Sequence, residues 1–343
     1  MERPQRLPAL QEPGGELMAA RSLLRLALAL LLACAGLPVS AQLPTHGVNT
    51  RALLLAGDFA ALERLYQTES AAAPVARRIG VELAPFYFYF SLELGVTPAN
   101  WPQDDKATRA WLERFPASVP AAIARADALG RRAATLDRAG DWPGVETVLR
   151  EQEKLLLAVQ PRAARDMTWH VLYVGYGRQQ GWPAARLRTA IEAALDVDPI
   201  SLSFYHTAGR ALAPEWRGSA EPLEWLARQG AARTAPDGAV TYTLVRLRTA
   251  EFIEAVLSRP FEAGMMDWAL VNQGMVEHYR RNPNGFTLNE HAALACRARD
   301  KATTAALIAR IGTGVSEGPW KRWGGVAHYE NCRRWAEAGA LKS

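Results

Sequence analysis

Apolar residues recur at helical spacing through most of the chain, and the stretches between them are marked by Gly, Pro and Asp. Leu53, Leu54, Phe59, Leu62 and Leu65 straddle a turn at Ala56-Gly57-Asp58. A short helix over residues 107–115 carries Trp111 and closes at Pro116-Ala117-Ser118. Residues 121–139 form an Ala-rich helix that stops at Gly140, the residue expected just past a helix C-terminus. Asp141 then stands at an N-cap position, with Pro143 in the first turn and Glu146 favourable to the helix dipole.

This turn repeats. Ala56-Gly57-Asp58-Phe59 and Ala139-Gly140-Asp141-Trp142 share one pattern, and Gly181-Trp182-Pro183 follows it again. Each opens the second helix of a hairpin, and Asp198-Pro199 closes the hairpin begun at Gly181. A hairpin of this kind cannot bury its apolar face alone and stacks on its neighbours. The spacing is looser than in a regular array, since Gly140 falls three residues late. The predicted fold is therefore all-α and single-domain: irregular stacked helical hairpins, a tetratricopeptide-like α-solenoid. One segment, residues 85–90, alternates Phe and Tyr as a strand would. It has no partner strand in sequence, so a buried aromatic helix is expected there.

The N-terminus reads differently. From Met18, Arg21 and Arg25 form a basic region, residues 26–34 an apolar core too short to span a bilayer, and Val39-Ser40-Ala41 a small-residue cleavage site. Residues 1–17 do not fit that scheme and mark Met18 as the true start. Residues 18–41 are then a signal peptide and 42–343 the helical-repeat domain. A second reading takes Leu31-Leu32-Ala33-Cys34 as a lipobox, with Cys34 lipidated and the protein held at the outer membrane. Cleavage after Ala41 is favoured, which places the chain in the periplasm or outside the cell.

Composition changes this picture little. The 343 residues, 49% hydrophobic and 22% charged, are those of an ordinary globular chain. The net charge of +5 does not point to nucleic acid. Lys occurs only at positions 106, 154, 301, 321 and 342, the remaining basic residues are Arg, and no run of like charge occurs.

Three stretches together resemble a bacterial family called domain of unknown function 4034. They are Trp111-Leu112 with Pro116, Ser118 and the helix after it; Leu212-Ala213-Pro214-Glu215-Trp216-Arg217-Gly218-Ser219, similar to an L-x-P-x-W-x-G-S element; and Ala295-Cys296 with Asp300 and Ile311-Gly312. Glu215 and Arg217 stand where family members carry a basic residue and a Gly. The resemblance implies an all-helical fold and no known activity. The second stretch also reads physically as a structural corner. Pro214 stops a helix, Trp216 plugs an apolar gap, Gly218 gives φ freedom and Ser219 caps the next helix.

The chemistry-bearing residues are scattered. No nucleophile elbow, zinc-protease or phosphate-loop motif is present, so neither a catalytic residue nor a cofactor is assigned. Gly312, Thr313, Gly314 and Gly318 superficially match a dinucleotide loop but follow a helix where a strand is required. Trp169, Tyr173 and Tyr176 lie on one helix face beside His170 and read as core. His206, His278, His291 and His328 stand singly. Glu277, Glu290 and Asp300 are the carboxylates from which a glycosidase pair would be drawn.

Export leaves two cysteines, Cys296 and Cys332, in an oxidising compartment, and a disulfide is expected. The rival is zinc held by His291, Cys296, His328 and Cys332. His328 and Cys332 are four apart and share a helix face, whereas His291 and Cys296 are five apart and diverge by about 140°. The expected function is binding or scaffolding, with a protein or peptide partner in the cell envelope. The alternative is an exported hydrolase of cell-wall glycan or peptide.

Overall fold

The computed structural model describes residues 49–72, 100–213, 221–252, 260–262 and 265–338, all within one compact unit, Gly47–Ser343. The leader with Cys34, the aromatic segment 85–90 and the corner of Pro214, Trp216, Gly218 and Ser219 lie outside the described residues. About 80% of the described residues are helical and none is in a strand.

The helices run α1 (Thr50–Ala56), α2 (Phe59–Ala72), α3 (Trp101–Arg114), α4 (Val119–Arg138), α5 (Trp142–Ala163), α6 (Met167–Gln179), α7 (Ala184–Val197) and α8 (Leu202–Leu212). They continue as α9 (Glu221–Arg233), α10 (Gly238–Thr249), α11 (Trp268–Arg281), α12 (Gly285–Arg297), α13 (Lys301–Ile311), α14 (Glu317–Lys321) and α15 (Gly325–Glu337). A 3₁₀ turn, Ala250–Phe252, extends α10.

The first helix turn is fixed in most of these by a side chain that sequence chemistry selects. Ser118 accepts from Ala121 N at 3.0 Å, Asp141 from Gly144 N at 3.0 Å, Asn284 from Thr287 N at 2.8 Å and Asp300 from Thr303 N at 3.0 Å. α3 begins six residues before the expected boundary at Ala107, because Pro102 in its first turn suits a helix start.

Among the described residues the hairpin turn occurs four times, not three. Gly57, Gly140 and Gly181 have φ of 75°, 74° and 62°. In each case the next residue's N–H returns to the carbonyl five residues back: Asp58 to Leu53, Asp141 to Leu136, Trp182 to Gly177. The fourth copy is Arg299-Asp300. Arg299 has φ 57° and Asp300 N donates to Ala295 O at 3.0 Å. An Arg in the glycine position hides this copy from sequence inspection.

Stacking follows an interleaved order. Helices α4, α6, α8 and α10 touch in succession, while α5 packs on α4, α7 on α6, and α9 on both α7 and α10. That alternation is the packing of stacked hairpins. Beyond α10 the chain folds on through α11, α12 and α13, and α15 packs on both α13 and α14.

Two apolar clusters fill the stack, with α6 between them. One holds Leu54, Leu62, Trp111, Ile123 and Leu156; the other holds Phe204, Tyr242, Val271, Leu294 and Trp320. α6 turns Trp169 and Tyr176 to the first cluster and Val174 to the second. Where α10 crosses α11, a Cβ on Gly274 would collide with the Ala239 carbonyl and the Thr243 hydroxyl, so only glycine permits that approach.

Candidate functional site

The last four helices bring together the most chemically distinctive side chains. Cys296 ends α12 and Cys332 lies on α15, and the two are joined by a disulfide across Cα atoms 5.9 Å apart. This is the pairing expected from the cysteine count. His328, one turn before Cys332, places Nε2 3.5 Å from Cys332 Sγ. The donor atoms of Cys296, His328 and Cys332 all fall within 4.8 Å of one another. Burial, with the Arg297 charge adding to it, holds the His328 imidazole below its ordinary value, so it is neutral at pH 7.

His291 does not join them. Its Nε2 lies 2.7 Å from Asn272 Oδ1, and its ring faces Trp268. The helix is continuous from His291 to Cys296, so the two point apart as their spacing requires. Burial pushes His291 down to about 4. Of the four residues of the zinc alternative, the structure brings Cys296, His328 and Cys332 together and leaves His291 apart.

Beneath this cluster sits Asn289, wholly buried. Its amide donates to Gly285 O at 2.9 Å and Gly314 O at 3.1 Å, and its oxygen accepts from Ser316 N at 3.2 Å and Trp320 Nε1 at 2.9 Å. All four hydrogen-bonding positions of the side chain are filled. Gly312 and Gly314 lie in the loop between α13 and α14, where Asn289 holds the Gly314 carbonyl.

A second polar cluster lies between α9, α10 and α11. Arg246 is almost entirely buried, and its Nη2 donates to Met265 O at 2.7 Å. Its Nε approaches Glu224 Oε2 at 3.5 Å without a hydrogen bond, and Nη1 has no partner among the described residues. Glu224 Oε2 also accepts from the Tyr242 hydroxyl at 2.7 Å, which in turn accepts from Asp267 N at 2.8 Å. Arg228 completes the set with Glu224 at 2.7 Å and Asp267 at 3.3 Å. Burial lowers the Arg246 pKa and raises that of Tyr242. Another buried Arg, Arg125, donates to Asp105 at 2.6 Å and Glu151 at 2.8 Å, tying α3 and α5 across α4.

Of the three candidate carboxylates, Asp300 and Glu277 are held by partners of their own. Asp300 caps α13 and accepts from Trp268 Nε1 at 3.2 Å; burial raises its pKa, but those hydrogen bonds outweigh it and hold the group low. Glu277 accepts from Arg280 and Arg281 and is held at about 2. Glu290 is raised by burial, only partly offset by the Arg322 charge. The α6 stripe is core. Trp169 stacks on Tyr173 at 4.7 Å and donates to Leu156 O, and Tyr173 and Tyr176 both meet Trp182 edge-on. His170 lies 3.0 Å from Ala164 O. His206 pairs with Glu251 at 3.3 Å, and burial, then the Arg281 charge, lower the His278 pKa.

Sequence reasoning missed Asn289, Arg246 and Arg125. The last two carried a signal: Arg125 is the one charge within the buried run 121–126, and Arg246 shares a face with buried Tyr242 and Thr249. No family model, curated protein or solved structure matches the chain.

Proposed function

We propose that the protein is an exported helical-repeat module that binds or scaffolds a protein or peptide partner in the cell envelope. The observation that carries this reading is the interleaved row of α4, α6, α8 and α10. Stacked hairpins of this kind present extended surface without needing a cofactor. The leader from Met18 to Ala41 and the Cys296–Cys332 bridge support an oxidising location. The resemblance to domain of unknown function 4034 belongs to the same reading and adds the helical fold alone.

Contacts are expected through exposed apolar side chains at helix starts. Trp142 on α5 is 65% exposed and Phe286 on α12 is 54% exposed, and aromatic side chains are enriched where one protein meets another. The test is photocrosslinking in cells from position 142 or 286, with the exposed Arg150 position as control. One discrete envelope adduct from 142 or 286, and none from 150, supports the reading. No adduct, together with release of soluble fragments from purified cell wall by the protein alone, replaces it with the hydrolase.

A further inference from the structure

The Cys296–Cys332 disulfide carries an imidazole against one sulfur, and its two residues differ in exposure: Cys332 is buried and Cys296 half-buried. The His328 Nε2 to Cys332 Sγ distance of 3.5 Å has a second meaning. In tetrahedral zinc, with Zn–S of about 2.3 Å and Zn–N of about 2.0–2.1 Å, a coordinated sulfur and nitrogen lie about 3.5 Å apart and two sulfurs about 3.8 Å apart. The Cys332–His328 pair already has that separation. Cys296 needs only the sulfur–sulfur bond to open, because the cysteine Cα atoms stand 5.9 Å apart on two packed helices.

We infer that Cys296, Cys332 and His328 form a redox-gated zinc site, closed while the sulfurs are bonded to each other and opened by a dithiol reductant. A thiolate of the reductant attacks Sγ of half-buried Cys296, and the sulfur–sulfur bond breaks with its electron pair on Cys332. The reductant's second thiol then displaces Cys296 and leaves as a disulfide. The reductant loses two electrons and two protons, and the two cysteines become thiols. Zn²⁺ replaces both thiol protons, which pass to solvent, and takes the Nε2 lone pair of His328. Two thiolates and one imidazole are the ligand types this cation prefers. Among the described residues no further His, Cys, Asp or Glu joins the cluster, so the fourth position falls to water.

The experiment uses the full chain carrying Cys34→Ser, so that its only cysteines are the pair in question. It is reduced with a dithiol, desalted without oxygen and titrated with Co²⁺, then with Zn²⁺ against a chromophoric zinc indicator. The expected result is one Co²⁺ per chain with thiolate charge-transfer absorption, displaced by Zn²⁺, and no binding by the oxidised chain. His328→Ala keeps the disulfide for folding and, once reduced, should bind Zn²⁺ at least about tenfold more weakly. Circular dichroism is recorded at each stage. If reduction lowers the helical signal, its return on adding Zn²⁺ supports the site. A reduced chain that binds neither ion, a helical signal that Zn²⁺ does not restore, or equal affinity in His328→Ala overturns it.

Discussion

Trp320 and Asn289 meet in the interior of the terminal helices, where the indole Nε1 donates to the Asn289 side-chain oxygen at 2.9 Å and water reaches neither residue. The bond links α14, a helix of five residues that could not persist alone, to α12. Through Gly314 and Ser316 the same amide also shapes the loop leading into α14.

Asn289→Ala is therefore expected to cost about 1–3 kcal/mol, because it leaves the Trp320 N–H buried and unpaired. Trp320→Phe removes one partner instead, and the double variant should be less destabilised than the sum of the two. Urea unfolding of the four chains measures the coupling; strict additivity would remove Asn289 from the role described.

Arg299 is held at φ 57° with its side chain exposed. Glycine adopts that backbone without the Cβ penalty, though it gains more freedom on unfolding. Arg299→Gly should stabilise the chain by about 0.5–1 kcal/mol. Arg299→Ala, which keeps a Cβ, should not. A thermal melt that placed the two variants together would contradict a left-handed residue at this turn.

His291 gives the stability of the fold a pH dependence of known sign. Its folded pKa is about 4, below the ordinary 6.5, because burial disfavours the charged ring. Above pH 6.5 the imidazole is neutral in both states, and stability through this group is complete. As pH falls from 6.5 towards 4, the unfolded chain takes up a proton that the folded chain refuses, and stability is lost. The loss through this residue should reach about 2–3 kcal/mol near pH 4. Buried His170 shifts in the same direction. The comparison with His291→Gln isolates the one group, and this variant should show a shallower decline in denaturant midpoint between pH 7 and 4.5. Equal slopes would contradict a buried neutral His291.

Much of this fold was legible from punctuation, and the reason is local. Gly140 followed by Asp141 states a left-handed residue and an N-cap in two letters, and both occur where they were read. The same turn at Arg299-Asp300 was unreadable, because tertiary packing imposes a conformation that the residue type does not announce. The disulfide followed from counting cysteines in a chain read as exported, and the separation of His291 from it followed from helical angle. Asn289 and Arg246 show where such reading stops. Their partners, Trp320 and Gly314 for one and Met265 and Glu224 for the other, lie tens of residues away or on another helix. Only the folded stack brings them within reach.

We propose an exported helical stack whose terminal helices are tied by Cys296 and Cys332. Intact mass of the full chain expressed in a Gram-negative host, alkylated in the cell without reductant, tests that most directly. The predicted species begins at Gln42, carries no alkyl group and is two hydrogens lighter than its sequence. A chain retaining its first 41 residues with alkyl groups on both Cys296 and Cys332 would contradict it, as would a lipid-bearing species beginning at Cys34 with both groups labelled.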